Sequence, residues 1–380
     1  MRIAFYSPLK PPTHPAPSGD RRLARLLMAA FEHADHEVLL ASTFRSFDGS
    51  GNAERQQRLR RVGNHLAARL VRGFRALPAV RRPDVWFTYH IYHKAPDWLG
   101  PVVSAALDVP YVIAECSFAP KQQAGPWSSG HAAARHAILR ADAVIALNTA
   151  DVPAIKTLRG DEPALVSPFL DIAPYAQVAN RETVRQELAS RYALNTNSSW
   201  LLTVAMMRRG DKLASFRLLA QSLREIQHLD WQLIIAGDGE ARADVMRAFS
   251  SFASDRVMFT GRLEQESIIR LAQTADIFVW PAFNEAFGMA MLEAQAAGLP
   301  VIAGNAGGVS GVVAHRTTGL LVEAGDARGF ASATQSLLED SSRRARMGAA
   351  ARQKTREQHD VASASGKLSE ILEQACCTPL

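Results

Sequence analysis

Short apolar runs and amphipathic helical stretches alternate along this whole chain, and few folds admit that alternation. In the first half the strand-like runs are RIAFYS, HEVLLAS, PDVWFTYH, PYVIAE and DAVIALN. Between them, GDRRLARLLMAAFEHA and GHAAARHAILRA repeat apolar residues at three- and four-residue spacing, the period of a helix packed on one face. The second half continues with WLLTVAM, WQLIIAG, RVMFTG, DIFVWPA, LPVIAG and TGLLVE. Such a series predicts α/β architecture with parallel sheets and helical crossovers. At 380 residues the chain is too long for one ordinary core. The expectation is therefore two doubly wound, Rossmann-like domains facing across a cleft. The first spans 1–170 and the second 171–355, with the seam in the stretch broken by Pro163, Pro168 and Pro174. Residues 356–380 are expected to form a helix and tail that pack back on the first domain, and Ser341 to Leu372 reads as one or two helices. In open parallel sheets ligands collect beyond the carboxyl ends of the strands, which directs the search for a site to the cleft.

Composition removes several classes of function. No apolar run approaches the roughly 20 residues of a membrane span. MRIAFYSPLK reads as a strand entering a Pro-rich loop and not as a signal peptide, so a cytoplasmic location is expected. The three cysteines, Cys116, Cys376 and Cys377, have no spacing suited to zinc or a disulfide framework. The Cys-Thr-Pro-Leu ending fits a prenylation box only formally, because its middle residues are not aliphatic. The formal net charge is +6, and nine arginines with no acidic residue fall between Arg55 and Arg82. A segment of that kind suits an anionic membrane surface, or is a solvated helix face. Aromatic residues are sparse there and no recognition motif appears, so nucleic acid is not an expected partner.

The most informative segment is PAFNEAFGMAMLEAQAAGLPVIAGNAGGVSGVV, from Pro281 to Val313. Asp276 to Trp280 is expected to be a buried strand, with Asn284 capping a helix from about Glu285 to Ala297 that ends at Gly298. On that reading Glu285 and Glu293 stand roughly 12 Å apart along one axis. An anion would meet the amides near Phe287 and Gly288 at the helix mouth, and the two carboxylates would accept hydroxyl hydrogen bonds. A nucleoside diphosphate sugar has that order of groups. A second cluster, VAMMRRGDKLASF, sets Arg208, Arg209 and Lys212 at a strand-to-helix junction, where cations can clamp a diphosphate. Lysine is scarce, seven against thirty-six arginines, which gives Lys212 added weight.

These segments resemble retaining family-4 glycosyltransferases with the GT-B fold. The likeness lies in the E-x7-E motif, the Gly-Leu-Pro-Val strand and the Gly-Gly turn, and extends through WQLIIAGDGE, RVMFTGRLEQES and TGLLVEAGD. The resemblance implies that Glu285 holds the donor sugar's hydroxyls and Glu293 the ribose, while Arg208 and Lys212, with Arg209 in reserve, stabilise the leaving diphosphate. It implies that Gly237, Arg262 and Leu263 border the nucleobase, and that Gly19 lets backbone approach the donor phosphate. The glycine turns have a second reading as tight turns alone. Relatives often carry Arg where this chain has Met206, a second glycine where it has Ser18, and a sugar-contacting histidine where it has Glu115. Either Glu115 takes that role, or His90, His93 or His131 reaches the sugar or the acceptor.

The implied reaction is retaining transfer of a hexosyl group from a nucleotide sugar to a glycan or lipid-linked acceptor in envelope or extracellular polysaccharide synthesis. No metal or cofactor is expected, and no Asp-x-Asp tripeptide occurs. The rival readings are a non-hydrolysing nucleotide-sugar epimerase and a catalytically idle subunit that binds a membrane or partner.

Overall fold

The computed structural model describes residues 1–16, 18–176 and 180–377. Pro17 and the last three residues of the Cys-Thr-Pro-Leu ending lie outside this range. The chain forms two compact units, Met1–Ser167 with Val361–Leu380, and Pro168–Asp360.

In the first unit six parallel strands, β1 (Arg2–Tyr6), β2 (Glu37–Ser42), β3 (Val85–Ile91), β4 (Tyr111–Cys116), β5 (Ala143–Ala146) and β6 (Ala164–Leu165), lie in the order β2-β1-β3-β4-β5-β6. Helix α1 (Gly19–His33) follows β1, and Ser18 caps it by accepting from the Arg21 amide at 3.2 Å. Its buried Leu23, Ala24, Leu27, Ala30 and Phe31 form one apolar stripe. The helix Val361–Cys377 packs against α1 within this unit, and Ser369 Oγ lies 2.9 Å from His36 Nε2. Helix α2 (Ala53–Ala76) carries most of the arginine-rich segment.

The second unit has β7 (Ser199–Val204), β8 (Trp231–Ala236), β9 (Val257–Gly261), β10 (Ile277–Trp280), β11 (Val301–Asn305) and β12 (Gly319–Glu323), in the order β12-β11-β10-β7-β8-β9. All these pairings are parallel. β4, β8 and β10 are buried along their whole length. Their near-continuous apolar sequences are what strands covered by helices on both faces require.

Strand order decides where a ligand can sit. β1 is followed by strands on either side of it, and so is β7, so the order reverses between β1 and β3 and between β10 and β7. Crossovers leave those two junctions on opposite faces, opening a crevice at the carboxyl ends.

The central strands of the first unit are pinned from below the site. Asp97 is almost fully buried, where it accepts from the Thr88 hydroxyl at 2.6 Å, the Tyr111 hydroxyl at 2.8 Å and the amides of Leu99 and Gly100, each at 2.8 Å. Burial pushes its carboxyl upward against these bonds. Asp97→Ala strands four donors in the interior and is expected to cost about 3–5 kcal/mol in denaturant unfolding. A loss below about 1 kcal/mol would contradict this role.

Candidate functional site

At the reversal point of the second unit the turns after β7 and β10 meet through charge. Lys212, in the first turn of the helix Asp211–Glu225, places Nζ 2.5 Å from Glu285 Oε2. The ammonium also lies 5.1 Å from the Trp280 ring centroid at the end of β10. Beside them Asn284 Nδ2 donates to Asp211 Oδ2 at 3.2 Å, a second tie between the same turns. Both charged side chains keep part of their surface exposed, so the pair is reachable.

Glu285 is not on a helix. The helix begins at Met289, Gly288 is its N-cap, and residues 281–288 form an irregular loop. Asn284 is therefore no cap, and the spacing expected for two glutamates on one axis does not apply. Gly288 adopts φ +66, which ends helical continuity on its N-terminal side. The loop's carbonyls go instead to the Gly-Gly turn after β11, where the Gly308 amide donates to Glu285 O at 2.8 Å. A Cβ at Gly307 would lie 2.3 Å from Glu285 O, and one at Gly308 would lie 2.1 Å from Ala286 O. The two glycines thus form the bed on which Glu285 is held, a role invisible before the loop was placed.

Glu293 is buried within the helix Met289–Ala296, Phe287 is half-buried in the loop, and Gly288 is buried. Arg208 and Arg209 are exposed in the turn after β7; among the described residues neither guanidinium pairs with a carboxylate, and the Arg209 amide donates to Glu240 Oε1 at 3.5 Å. Met206 is also exposed, whereas Met207 is buried and its carbonyl accepts from the Ala241 amide. Gly237 is needed by packing, because a Cβ would lie 1.9 Å from Ala205 O. Its amide donates to Gly261 O at 2.9 Å, which draws the ends of β8 and β9 together beside exposed Arg262 and half-buried Leu263. A Cβ on Gly19 would meet nothing within 4 Å, so packing does not demand that glycine.

The first unit has its own charged pair at the corresponding point. Asp20, in the first turn of α1, places Oδ1 3.1 Å from His90 Nδ1. His90 and Glu115 are the penultimate residues of β3 and β4. Tyr89 pairs with Ala114 and Ile91 with Cys116, so His90 and Glu115 stand opposite each other. Both adopt left-handed backbone, φ +63 and +64, at a cost of about 1–3 kcal/mol each. Burial pushes the Glu115 carboxyl up to about 7, with His90 pulling it down and Asp151 and Asp20 adding to the rise. Burial lowers His90, but Asp20 and then Glu115 outweigh it and leave the imidazole raised. Asp20 was passed over in the sequence because its partner is named only by strand order.

His93 and His131 belong to a neighbouring aromatic group. His93 lies 5.8 Å from the Trp127 ring and His131 5.2 Å from Phe118. Burial lowers both imidazoles.

With this geometry in view, the relatives are informative. Residues 184–354 match the model of the glycosyl transferases group 1. The chain is 27% identical over 292 residues to a D-inositol 3-phosphate glycosyltransferase of Xylanimonas cellulosilytica, covering 72% of this chain and 69% of the relative. It is 42% identical over 130 residues to a GDP-mannose-dependent monoacylated alpha-(1-6)-phosphatidylinositol monomannoside mannosyltransferase of Corynebacterium glutamicum, covering 32% of this chain and 34% of that protein. The structure of Anabaena HepE in complex with UDP-glucose superposes with a TM-score of 0.72 at 20% identity, over 98% of this chain and all of that one. The two units are thus Rossmann-like domains of the GT-B fold, and the stretch that matches the glycosyl transferases group 1 model lies wholly in the second. The two sequence relatives are named as sugar-transferring enzymes, and an enzyme of that type is what the family match and these relatives support.

The Glu115 carboxyl gives a pH test. Its folded-state affinity for a proton exceeds the unfolded one, so its contribution to stability is largest at low pH. That contribution is lost as pH rises from the ordinary carboxylate range through about 7. Relative to Glu115→Gln, the natural chain should lose about 2–3 kcal/mol of unfolding free energy between pH 4.5 and 8. Parallel stability profiles for the two proteins would show that the carboxyl is not held in this way.

Proposed function

We propose that this chain transfers a hexosyl group from a nucleoside diphosphate sugar to a glycan or lipid-linked acceptor, with retention at the anomeric carbon. The observation that carries this reading is the Lys212–Glu285 contact at the carboxyl ends of β7 and β10. A cation and a carboxylate side by side match the two halves of a sugar diphosphate. Lys212 meets the phosphate charge, and Glu285 accepts from sugar hydroxyls. Until a donor arrives, each satisfies the other. Arg208, exposed in the same turn, supplies a second, bidentate cation, with Arg209 in reserve. Glu293 takes the ribose hydroxyls, and Phe287 and Gly288 frame the donor beside it. Gly237, Arg262 and Leu263 border the base, and Gly19 leaves room for the donor phosphate.

In a retaining reaction of this kind the departing diphosphate takes the acceptor's proton on the face it leaves. The protein's contribution is positioning and stabilisation of charge on the leaving group. Lys212 and Arg208 supply that charge, so transfer is proposed to run without a divalent ion or an organic cofactor.

The acceptor reading rests on α2 and the short turn after it. All nine arginines from Arg55 to Arg82 are exposed. Among the described residues, the side chains of Arg58, Arg61, Arg69, Arg72 and Arg81 make no hydrogen bond or ion pair, whereas that of Arg55 reaches Asp48 and that of Arg75 bonds Ala106 O. Residues of that kind are each worth about 1 kcal/mol at an anionic bilayer. Among the described residues no helix is long and apolar enough to cross a membrane. We infer a cytoplasmic enzyme docked through α2 on the inner leaflet, acting in envelope or extracellular polysaccharide synthesis.

Lys212→Ala and Glu285→Gln should each lower kcat/KM at least ~100-fold in a transfer assay while leaving the melting temperature nearly unchanged. EDTA should have no effect. Full activity in either variant would remove the proposed donor site. Changing Arg58, Arg61, Arg69 and Arg72 to Glu should abolish co-sedimentation with phosphatidylglycerol vesicles, and retained co-sedimentation would contradict membrane docking.

A further inference from the structure

The helix Ser341–Gln358 packs on the helix Met289–Ala296 and sends two basic side chains to the ends of elements that frame Glu285. Arg352 Nη2 donates to Ala297 O at 2.8 Å, at the carboxyl end of the helix that carries Glu293. Lys354 Nζ donates to Val312 O at 2.9 Å, at the carboxyl end of the short helix Val309–Val312. Carbonyls at a helix end lack partners and carry negative partial charge, so a cation suits both places.

Lys354 differs from Arg352 in where its other bond goes. Its Nζ lies 2.9 Å from His359 Nε2, and His359 Nδ1 lies 2.7 Å from Pro168 O. An ammonium only donates and a proline carbonyl only accepts, so the imidazole is neutral and carries its proton on Nδ1. His359 is buried, and its own carbonyl accepts from the Leu170 amide at 2.9 Å. Pro168 and Asp360 are the first and last residues of the second unit. The imidazole therefore ties together the two segments by which the chain enters and leaves that unit. Lys354 is half-buried with no counter-charge: among the described residues no carboxylate pairs with it, and burial lowers its affinity for a proton. A lysine in such a place is poorly explained as half of an ion pair. What it does is join His359 to the end of a helix.

From that end the way to Glu285 is short and stiff. Val309 and Val312 are fully buried. The Val313 amide donates to Val309 O at 2.8 Å and the Gly311 amide to Gly308 O at 3.1 Å. One turn of hydrogen-bonded backbone thus separates Val312 O from Gly308, whose amide holds Glu285 O at 2.8 Å. The Gly-Gly turn leaves Glu285 little slack, since it lies on backbone that would not admit a Cβ.

We propose that Lys354 and His359 are positioning residues for Glu285, fixing through the segment 307–312 where its carboxylate stands beside Lys212. They act on the donor only through Glu285. The inference rests on the reading of Glu285 as the group that accepts from the donor's sugar, and adds the residues that set its place.

Two measurements on the full chain test it. Lys354→Met and His359→Phe keep the bulk of each side chain and remove its bonds. In hydrogen exchange, both should speed exchange about tenfold in the segments 281–288 and 307–312, with β7 and β8 unchanged. In calorimetry, both should weaken UDP-glucose about tenfold while UDP binds as in the natural chain, with GDP-mannose and GDP titrated in parallel. Lys354→Arg, which keeps a donor and a charge at the helix end, should recover most of that loss. Adding Lys354→Met to Glu285→Gln should weaken the sugar-bearing ligand no further, because the route runs through Glu285. The proposal is overturned by unchanged exchange in the two segments, by equal losses for UDP and UDP-glucose, by no recovery in Lys354→Arg, or by additive losses in the double variant. If Glu285→Gln itself leaves binding of the sugar-bearing ligand intact, the donor reading of Glu285 fails. Exchange alone then decides whether Lys354 and His359 hold its loop.

Discussion

The contact between Lys212 and Glu285 joins residues 73 apart in the chain, and the arrangement of the second unit around its site follows from holding them together. Lys212 can be there because a helix starts directly after β7, with Gly210 at φ +75 turning the chain into it. Glu285 can be there because the loop after β10 lies on Gly307 and Gly308 instead of continuing as helix. An exposed ion pair is worth only about 0–1 kcal/mol to stability, so this one is poorly explained as a support for the fold. In the proposed function the two are binding groups occupied with each other.

The two units solve one problem twice. A parallel sheet brings strand ends with unrelated sequences side by side, and the reversal of strand order opens a gap between the crossovers there. Lys212–Glu285 spans that gap in one unit and Asp20–His90 spans it in the other. Their surroundings differ: the first has exposed arginines beside it, and the second has buried carboxyl groups. The basic surface of α2 is a third region, whose arginines are exposed.

Much of this was legible in the sequence. Eleven of the twelve strands among the described residues lie in the runs named from the sequence, β4, β8 and β10 being apolar because they are buried throughout, and the Glu285 and Lys212 segments stood out by residue type and spacing. The start of the helix at Met289 was not legible, because Asn284-Glu285 is an acceptable helix opening until Gly308, in the Gly-Gly turn after β11, claims the Glu285 carbonyl. Nor was the Asp20–His90 contact, which depends on β1 lying beside β3. Positive φ at His90 and Glu115 leaves no mark in residue type, since neither is glycine. Gly19 and Gly237 differ in a way that only coordinates reveal: packing requires Gly237 and leaves Gly19 free.

The central claim is that Lys212 and Glu285 separate on binding and each takes one half of the donor. Calorimetric titration of UDP and UDP-glucose, with GDP and GDP-mannose in parallel, tests it in the natural chain and in Lys212→Ala and Glu285→Gln. The account predicts that Lys212→Ala weakens the nucleotide and its sugar alike, whereas Glu285→Gln weakens only the sugar-bearing ligand. Equal losses for both ligands in Glu285→Gln, or undiminished nucleotide binding in Lys212→Ala, would contradict it.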